Sequence, residues 1–295
     1  MLASCDSSES IRELLLILRD HYELEGDERG ILDSAIAIKN PSRASEKMRA
    51  FIAEFKKTGK IREIEKIKPR VQIYRDLRGL KGFGIPAIRD MIARGIKTPA
   101  DITRAKIKLT RLQEVGLKYY DDLIKKLSRD EVAKYAREFT QIITSIDSGA
   151  RVEIAGSYRR ELAECGDIDL LVCCESCPRT LREFVNLLMK NKSYRCVILM
   201  QGDAKVSFIF AGARGVMRQC DVVCTNAHEY PAALLYFTGS AEYNIRMRAI
   251  ARAKGMLLNQ KGLFTIRGKE VPVKSEADIF SILGVPYAEP RARTL

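Results

Sequence analysis

Between residues 9 and 57 apolar side chains recur at helical spacing: Ile11, Leu14, Leu15 and Leu18, then Ile31, Ala35, Ile36 and Ile38. Spacings of three and four residues line one face of a helix. Pro41 and Ser42 interrupt the pattern before another helix over 45–57. Further helices are expected near 101–105, 109–115, 117–127 and 129–146. After Gly149 the period shortens to two, which predicts strands over 151–155, 167–174, 194–200, 205–211 and 217–225. A helix over 179–190 crosses between the second and third of these. From Pro231 onward, helices over 231–237, 242–254 and 276–283 surround short strands within 256–273. A helical first half followed by a sheet with helices is an α+β pattern.

At 295 residues the chain is long enough for two or three domains. Fifty-one Lys and Arg against 38 Asp and Glu give a net charge of +13, which favours a polyanionic partner, nucleic acid first. The most basic block is Lys56–Arg75, with eight Lys/Arg against two Glu. No apolar run approaches the ~20 residues needed to cross a bilayer, so no membrane partner is expected. The opening MLASCDSSES lacks the basic and apolar regions of a secretory signal. Eight cysteines in a chain of this length fit a reduced intracellular protein better than a disulfide scaffold. Cys174 and Cys177 form a C-x-x-C, but no second pair with histidines follows, and Cys173 and Cys174 end an apolar strand. These are expected to be structural thiols rather than zinc ligands.

The densest chemistry lies in Gly156-Ser157-Tyr158-Arg159-Arg160, followed by Gly166-Asp167-Ile168-Asp169. A strand followed by Gly-Ser can open a helix, whose unbonded N–H groups suit a phosphate. Asp167 and Asp169, two apart on a strand, point to one face. Carboxylate oxygens are hard ligands for Mg²⁺, and two such ions can clamp both ends of an in-line phosphoryl displacement. An N-cap serine followed by two solvated aspartates would explain a lone D-x-D. The G-S-x-R-R before it at this spacing favours nucleotidyl transfer.

Asp221 lies within VMRQCDVVC, an apolar run that reads as a buried strand. A carboxylate there is costly unless it is paired or ligates a metal, and completing a three-carboxylate site is the economical reading. Asp203 is a weaker competitor, because Gly202 beside it suggests a hairpin turn. Tyr236-Phe237-Thr238-Gly239-Ser240 follows a helix, with Asn244, Met247 and Arg248 on one face of the next. Two aromatics before a glycine could wall a nucleotide sugar or belong to the core, and spacing leaves both readings open. Gly82-Phe83-Gly84-Ile85-Pro86 lies between helical stretches, a helix-hairpin-helix pattern in which glycines let the backbone approach a phosphate. Beside Lys81 and the upstream basic block, DNA binding is favoured over a plain turn.

Taken together the motifs resemble family X DNA polymerases, the group of DNA polymerases beta, lambda and mu. The matching stretches are TGKIREIEKI (58–67), GLKGFGIPA (79–87), IKTPADI (96–102), GLKYYDDL (116–123), GSYRR (156–160), GDIDLL (166–171), YFTGS (236–240) with Asn244 and Arg248, and LGVPYAEPRAR (283–293). They run in the family's order over most of residues 45–295.

The resemblance implies an α+β fold: a helical N-terminal DNA-binding region with a helix-hairpin-helix, a nucleotidyltransferase-type palm sheet and a small α+β nucleotide-binding subdomain. The expected division is 1–68 lyase-like, 69–148 DNA-binding, 149–230 palm and 231–295 nucleotide-selecting. It implies that Asp167, Asp169 and Asp221 hold two Mg²⁺, with Mn²⁺ as an alternative. Gly156, Ser157, Arg160, the Gly166 backbone and Lys126 would contact the triphosphate; Lys126 stands where beta-type relatives have a phosphate-binding arginine. Tyr236, Phe237 and Gly239 would line the sugar, Asn244 the base edge, and Arg248 the template. Lys47, Lys60, Gly82 and Gly84 would contact DNA. The carbonyls of Arg78, Leu80 and Phe83 would hold Na⁺ or K⁺. The implied partners are gapped or primer-template DNA and dNTPs, with a monomer expected. Gap filling in repair is the implied activity, in a nucleus, an organelle or a viral factory. A template-independent or RNA nucleotidyltransferase and a non-catalytic gap-binding protein are the rival readings.

Three departures from the family pattern stand out. Phe51 stands where relatives that open abasic sugars carry a Schiff-base lysine, so little or no lyase activity is expected. Gln219 and Val223 replace arginines that flank the third aspartate.

Overall fold

The computed structural model describes residues 7–212 and 215–294. The chain divides into two compact units with the boundary between Tyr120 and Asp121. Among the described residues, the elements of the first unit are all helices. It runs through α1 (Ser7–Glu25), α2 (Glu28–Lys39), α3 (Glu46–Thr58), α4 (Arg62–Leu77), α5 (Ile85–Ala93), α6 (Pro99–Arg104) and α7 (Arg111–Lys118). Caps written in the sequence set several of these ends. Ser45 accepts from Met48 N–H at the start of α3, and Gly59 ends that helix in the left-handed region at φ 71°. Thr98 and Thr110 form capping boxes with Asp101 and Gln113. The core falls into two clusters, one around Leu15, Leu18, Met48, Ile61 and Ile64, the other around Tyr74, Leu77, Leu80, Phe83 and Ile88.

The second unit opens with the short α8 (Tyr120–Leu123), which straddles the boundary, then β1 (Leu127–Ser128) and α9 (Arg129–Ile146). β2 (Arg151–Ile154), the single-turn α10 (Gly156–Arg159), β3 (Glu164–Cys165), β4 (Ile168–Cys173) and α11 (Cys177–Lys190) follow. Next come β5 (Arg195–Gln201), β6 (Lys205–Ala211) and β7 (Arg218–Thr225). The C-terminal part holds α12 (Tyr230–Thr238), α13 (Ala241–Ala253), a small antiparallel sheet of β8 (Met256–Asn259), β9 (Gly262–Thr265) and β10 (Glu270–Val271), and α14 (Glu276–Ile282). The main sheet has the order β2-β4-β7-β6-β5, with β4 and β7 parallel and every other pair antiparallel.

Period-two alternation divides the residues of this sheet between its faces. Ile168, Leu170, Val172, Phe208, Phe210, Cys220 and Val222 pack with Phe139 and Ile143 of α9 and Phe184 and Leu188 of α11. Leu171 and Val223 pack instead with Tyr230, Ala233 and Leu234 of α12. Asp169 and Asp221 share the parity of that second set.

Two expectations change. The helix expected over 117–127 ends early, and Leu127-Ser128 pair with Cys165-Glu164. Ser128 is the N-cap of α9, with its hydroxyl accepting from Glu131 N–H, and a cap residue must be extended rather than helical. The second difference concerns α9. Its buried face (Val132, Tyr135, Ala136, Phe139, Ile143) belongs to the sheet core, so the change of texture at 149 marks the first long strand and not the start of that core. Of the opening decapeptide, residues 1–6 lie outside the described residues. Among the described residues no helix is long and apolar enough to cross a membrane.

Phe139 is fully buried, with ring centroids 5.0–6.1 Å from Phe210, Phe208, Tyr194 and Phe184. Phe139→Ala is expected to cost about 3–5 kcal/mol, since the hole it leaves is walled by other rigid rings. Urea unfolding of the two proteins checks this through the midpoint shift at constant slope.

Candidate active site

Parallel pairing of β4 with β7 sets Asp169 opposite Asp221. On the other side of β4, the turn after β2 brings the phosphate-type motif against the same carboxylate. The N–H of Ala155 donates to the Asp169 carbonyl at 2.9 Å. Gly156 has φ +55°, and a Cβ on it would lie 2.0 Å from Asp169 Oδ2. Only glycine meets both demands. The first helical bond of α10 runs from Arg159 N–H to Ala155, so the amides of Gly156, Ser157 and Tyr158 precede it.

Asp169 and the turn that follows β2 line a cleft of about 560 Å³, whose lining does not include Asp221. Asp167, Asp169, Gly156, Ser157, Arg160, Gly166 and Lys126 line it together with Tyr236, Phe237, Gly239, Asn244 and Arg248. Lys126 reaches it because β1 pairs with β3: its Nζ lies 3.7 Å from where a Gly166 Cβ would be. Arg160 donates to the Thr238 carbonyl at 2.5 Å, while its Nε is buried without a hydrogen-bond partner. An orphaned guanidinium N–H at a cleft wall is suited to an anion.

The carboxylates repel one another in this enclosure. Burial, reinforced by the charges of Asp167 and Asp221, pushes the Asp169 carboxyl well above its ordinary range. Asp221 goes the other way. Burial alone would raise it, but Lys205, Ser207 and Gln219 all donate to it, and it ends below the usual value. Lys205 Nζ lies 2.7 Å from Oδ2 and Gln219 Nε2 3.0 Å from Oδ1, while the Ser207 hydroxyl also donates to Oδ1. Asp221 therefore stands beside Asp169 but is engaged by its own strand neighbours. Arg218 does not join them, because it forms a two-pronged pair with Glu131.

The Tyr236–Ser240 turn is tied to α10. Arg159 donates to Thr238 Oγ1 at 2.6 Å and to both oxygens of Glu276 at 3.1 and 2.7 Å. Glu276 also binds the fully buried Arg293 at 2.5 Å. Asn244 donates to the Tyr236 carbonyl at 2.8 Å, and the Tyr236 and Phe237 rings meet edge to face at 5.1 Å. Met247, expected on the same face as Asn244 and Arg248, is buried instead, and Ile245 lines the cleft. The cleft also takes Leu162, Glu164, Ser240 and Ala241, which sequence reasoning missed.

The other expected residues lie in the helical unit, each described on its own terms. Gly82, at φ +83°, uses its missing Cβ to pack on α7: a Cβ would come 2.9 Å from Leu112 Cγ and 3.0 Å from Gln113 N. Gly84 is the N-cap of α5, and a Cβ on it would meet only the Pro86 ring, at 3.8 Å. Arg78, Leu80 and Phe83 lie in the same hairpin, where the Leu80 carbonyl accepts from Phe83 N–H at 3.3 Å. Lys60 is exposed just past α3. Lys47 is exposed too, with Nζ 5.3 Å from the Tyr22 ring centre and 5.8 Å from that of Phe51. A hydrogen bond with Tyr22 raises its ammonium above the ordinary lysine value. Phe51 packs against the N-terminal core.

Comparison with known proteins finds two domain models. Residues 126–204 match the DNA polymerase beta palm and residues 233–294 the DNA polymerase beta thumb. DNA polymerase lambda of Rattus norvegicus is 28% identical over 319 residues, covering 96% of this chain and 56% of that protein. DNA polymerase lambda of Arabidopsis thaliana is 26% identical, covering 90% and 55%. A DNA nucleotidylexotransferase of Xenopus laevis is 24% identical, covering 84% and 57%. The chain thus spans a little over half the length of these relatives.

The carboxylate electrostatics carry a stability consequence. With its folded value raised, Asp169 contributes stability only while protonated, and that contribution is lost as pH rises through the raised value. Asp221, held below its usual value, contributes stability at higher pH that is lost as pH falls. Asp169→Asn is therefore expected to stabilise the metal-free protein at neutral pH by about 1 kcal/mol, as relief of functional-site strain commonly does. The gain should shrink as the solution is acidified, which thermal unfolding in chelator at two pH values reads directly.

Proposed function

We propose that this chain is a family X DNA polymerase whose palm cleft transfers deoxynucleoside monophosphate to a primer 3′-hydroxyl and fills short gaps in DNA. One observation carries this reading: a carboxylate pair, an anion-suited turn and an aromatic wall line one cleft. The basic composition fits a nucleic-acid substrate.

The donor set fits divalent cations. Three carboxylates converge with Lys205 and Arg160 as the cations nearest in effect on Asp169, and Asp169 is destabilised as an anion until more positive charge arrives. Hard oxygen donors of this kind suit Mg²⁺, or Mn²⁺ in its place. Two such ions, held by Asp167, Asp169 and Asp221, would activate the 3′-hydroxyl and neutralise charge on the triphosphate. Ser157, the amides of the α10 turn, the Gly166 backbone, Arg160 and Lys126 hold the triphosphate in line for attack, which is a positioning task rather than covalent catalysis. Asp221 receives the hydroxyl proton, and for this Lys205 must leave its Oδ2. Tyr236, Phe237 and Gly239 bound the sugar and exclude a 2′-hydroxyl; Asn244 faces the base edge and Arg248 the template. Lys47, Lys60 and the Gly82–Gly84 hairpin hold DNA phosphates, with Na⁺ or K⁺ on the carbonyls of Arg78, Leu80 and Phe83. The working form is a monomer, in the nucleus if the source is a eukaryotic cell.

The likeness to a DNA nucleotidylexotransferase supports a second reading, untemplated addition. Extension of a gapped duplex with Mg²⁺ and one templated dNTP, beside a single-stranded primer control, separates the two: templated incorporation is expected, and extension of the single strand alone would reverse the assignment. Asp169→Ala is expected to lose more than about a thousandfold in turnover, the scale of a missing charge-stabilising group, while still binding gapped DNA.

Lyase chemistry needs a lysine with a lowered pKa. Phe51 offers no amine, and Lys47 beside it is shifted the opposite way. Borohydride reduction on a 5′-deoxyribose-phosphate substrate is expected to trap little or no crosslinked protein; efficient trapping would restore the lyase assignment.

A further inference from the structure

The C-x-x-C of Cys174 and Cys177, expected to be structural because no second pair follows it, gains a third member in the fold. β4 and β7 run parallel with Val172 opposite Cys224. Past the end of β4, Cys174 N–H donates to the Thr225 carbonyl at 3.2 Å, and Cys177 opens α11. The three sulfurs all lie within 4.8 Å of one another, and those of Cys174 and Cys177 are 3.9 Å apart. Cys174 and Cys224 are buried at 7% and 4% exposure, while Cys177 is half-buried and gives a route to solvent. All three are free thiols.

The spacing fits a shared ion. Thiolates bonded to one ion at about 2.3 Å stand about 3.8–4.0 Å from each other in tetrahedral or trigonal geometry. A disulfide would need about 2.05 Å. The Cys174 and Cys177 sulfurs stand at the first distance, and no pair of the three is more than 4.8 Å apart. We propose that Cys174, Cys177 and Cys224 form a three-thiolate site for a thiophilic d¹⁰ cation, zinc(II) or copper(I), clamping the ends of β4 and β7 to the start of α11. Thiolates select such ions over the hard cations that suit carboxylates. The site shares the sheet face of α9 and α11, with Cys174 and Cys224 in that core. Asp169 and Asp221 lie on the opposite face, so loading one site is chemically independent of loading the other.

Without a cation, burial and the neighbouring thiols keep Cys177 and Cys224 protonated. The Cys177 thiol is pushed up to about 11, and that of Cys224 further still. An arriving ion must displace these protons, so affinity falls as pH is lowered. Once bound, the ion ties the two strands that carry the carboxylates to a helix, and the folded form gains stability with metal concentration.

The test uses the full chain, reduced and stripped of metal. Zinc(II) and copper(I) are titrated separately against chromophoric chelators, and cobalt(II) reports sulfur ligation by its thiolate charge-transfer absorption. One equivalent of either ion is expected, with a higher melting temperature on loading. Cys177→Ser and Cys224→Ser should each weaken binding by at least about tenfold, and Cys196→Ser should leave it unchanged. Should a variant fold poorly, the wild type suffices: metal should slow alkylation of Cys177, mapped by mass spectrometry, and not that of Cys196. Which ion binds more tightly identifies the occupant. Absence of a thiolate band, binding indifferent to Cys224→Ser, or air oxidation to a Cys174–Cys177 disulfide that metal does not prevent would each overturn the site.

Discussion

The in-register parallel pairing of β4 with β7 is the constraint on which the second unit is built. It forces Asp169 and Asp221 to face each other across one strand spacing, with Asp167 just before β4. Like charges that close inside a partly desolvated cleft are unfavourable, and the neighbouring residues act against that cost. Lys205, Ser207 and Gln219 hold Asp221 in its ionised form, and Gly156 gives Asp169 the room its side chain needs. The large aromatic core on the opposite face, centred on Phe139, Phe184, Phe208 and Phe210, supplies the burial that keeps the strands in this register.

A second network fixes the walls of the cleft against each other. Arg159 and Arg293 share Glu276, and Arg293 is fully enclosed. A buried ion pair of this sort adds little net stability, because desolvation offsets attraction. Its value lies in geometry. Arg159 also reaches Thr238, Arg160 binds the carbonyl of the same residue, and Ser240 N–H donates to the Arg293 carbonyl. The two arginines that follow Ser157 thus have different work. Arg159 holds the Tyr236–Ser240 turn, while Arg160 keeps an unpartnered Nε at the cleft.

The partners of the third aspartate come from the neighbouring strand as well as from its own. Gln219 retains a hydrogen bond to Asp221 without a charge, and Val223 provides neither. The positive charge comes from Lys205 on β6, a diagonal neighbour across the antiparallel pair, where Ser207 lies directly opposite Asp221 and Lys205 opposite Val223. In the helical unit, the Phe51 ring packs on the core, and Lys47 lies over it.

What the sequence determined by itself is what local periodicity and spacing encode. The α+β order, the five strands of the main sheet, the G-S-x-R-R turn and the placing of Asp167 and Asp169 on one face follow from periods of 3.6 and 2 within a single segment. The burial of a carboxylate within VMRQCDVVC likewise pointed to Asp221. Contacts between segments were decided by tertiary structure, since no spacing rule within one segment sets the register of another. Lys205 and Ser207 reach Asp221 only through the β6–β7 register, and Lys126 reaches the cleft only because Leu127 and Ser128 pair with β3. Arg293 meets Glu276 across a loop, and Cys224 completes a C-x-x-C nearly fifty residues before it because two parallel strands end side by side. The carboxylates were readable because their chemistry is local; the cations and thiols that surround them were not, because only packing brings them there.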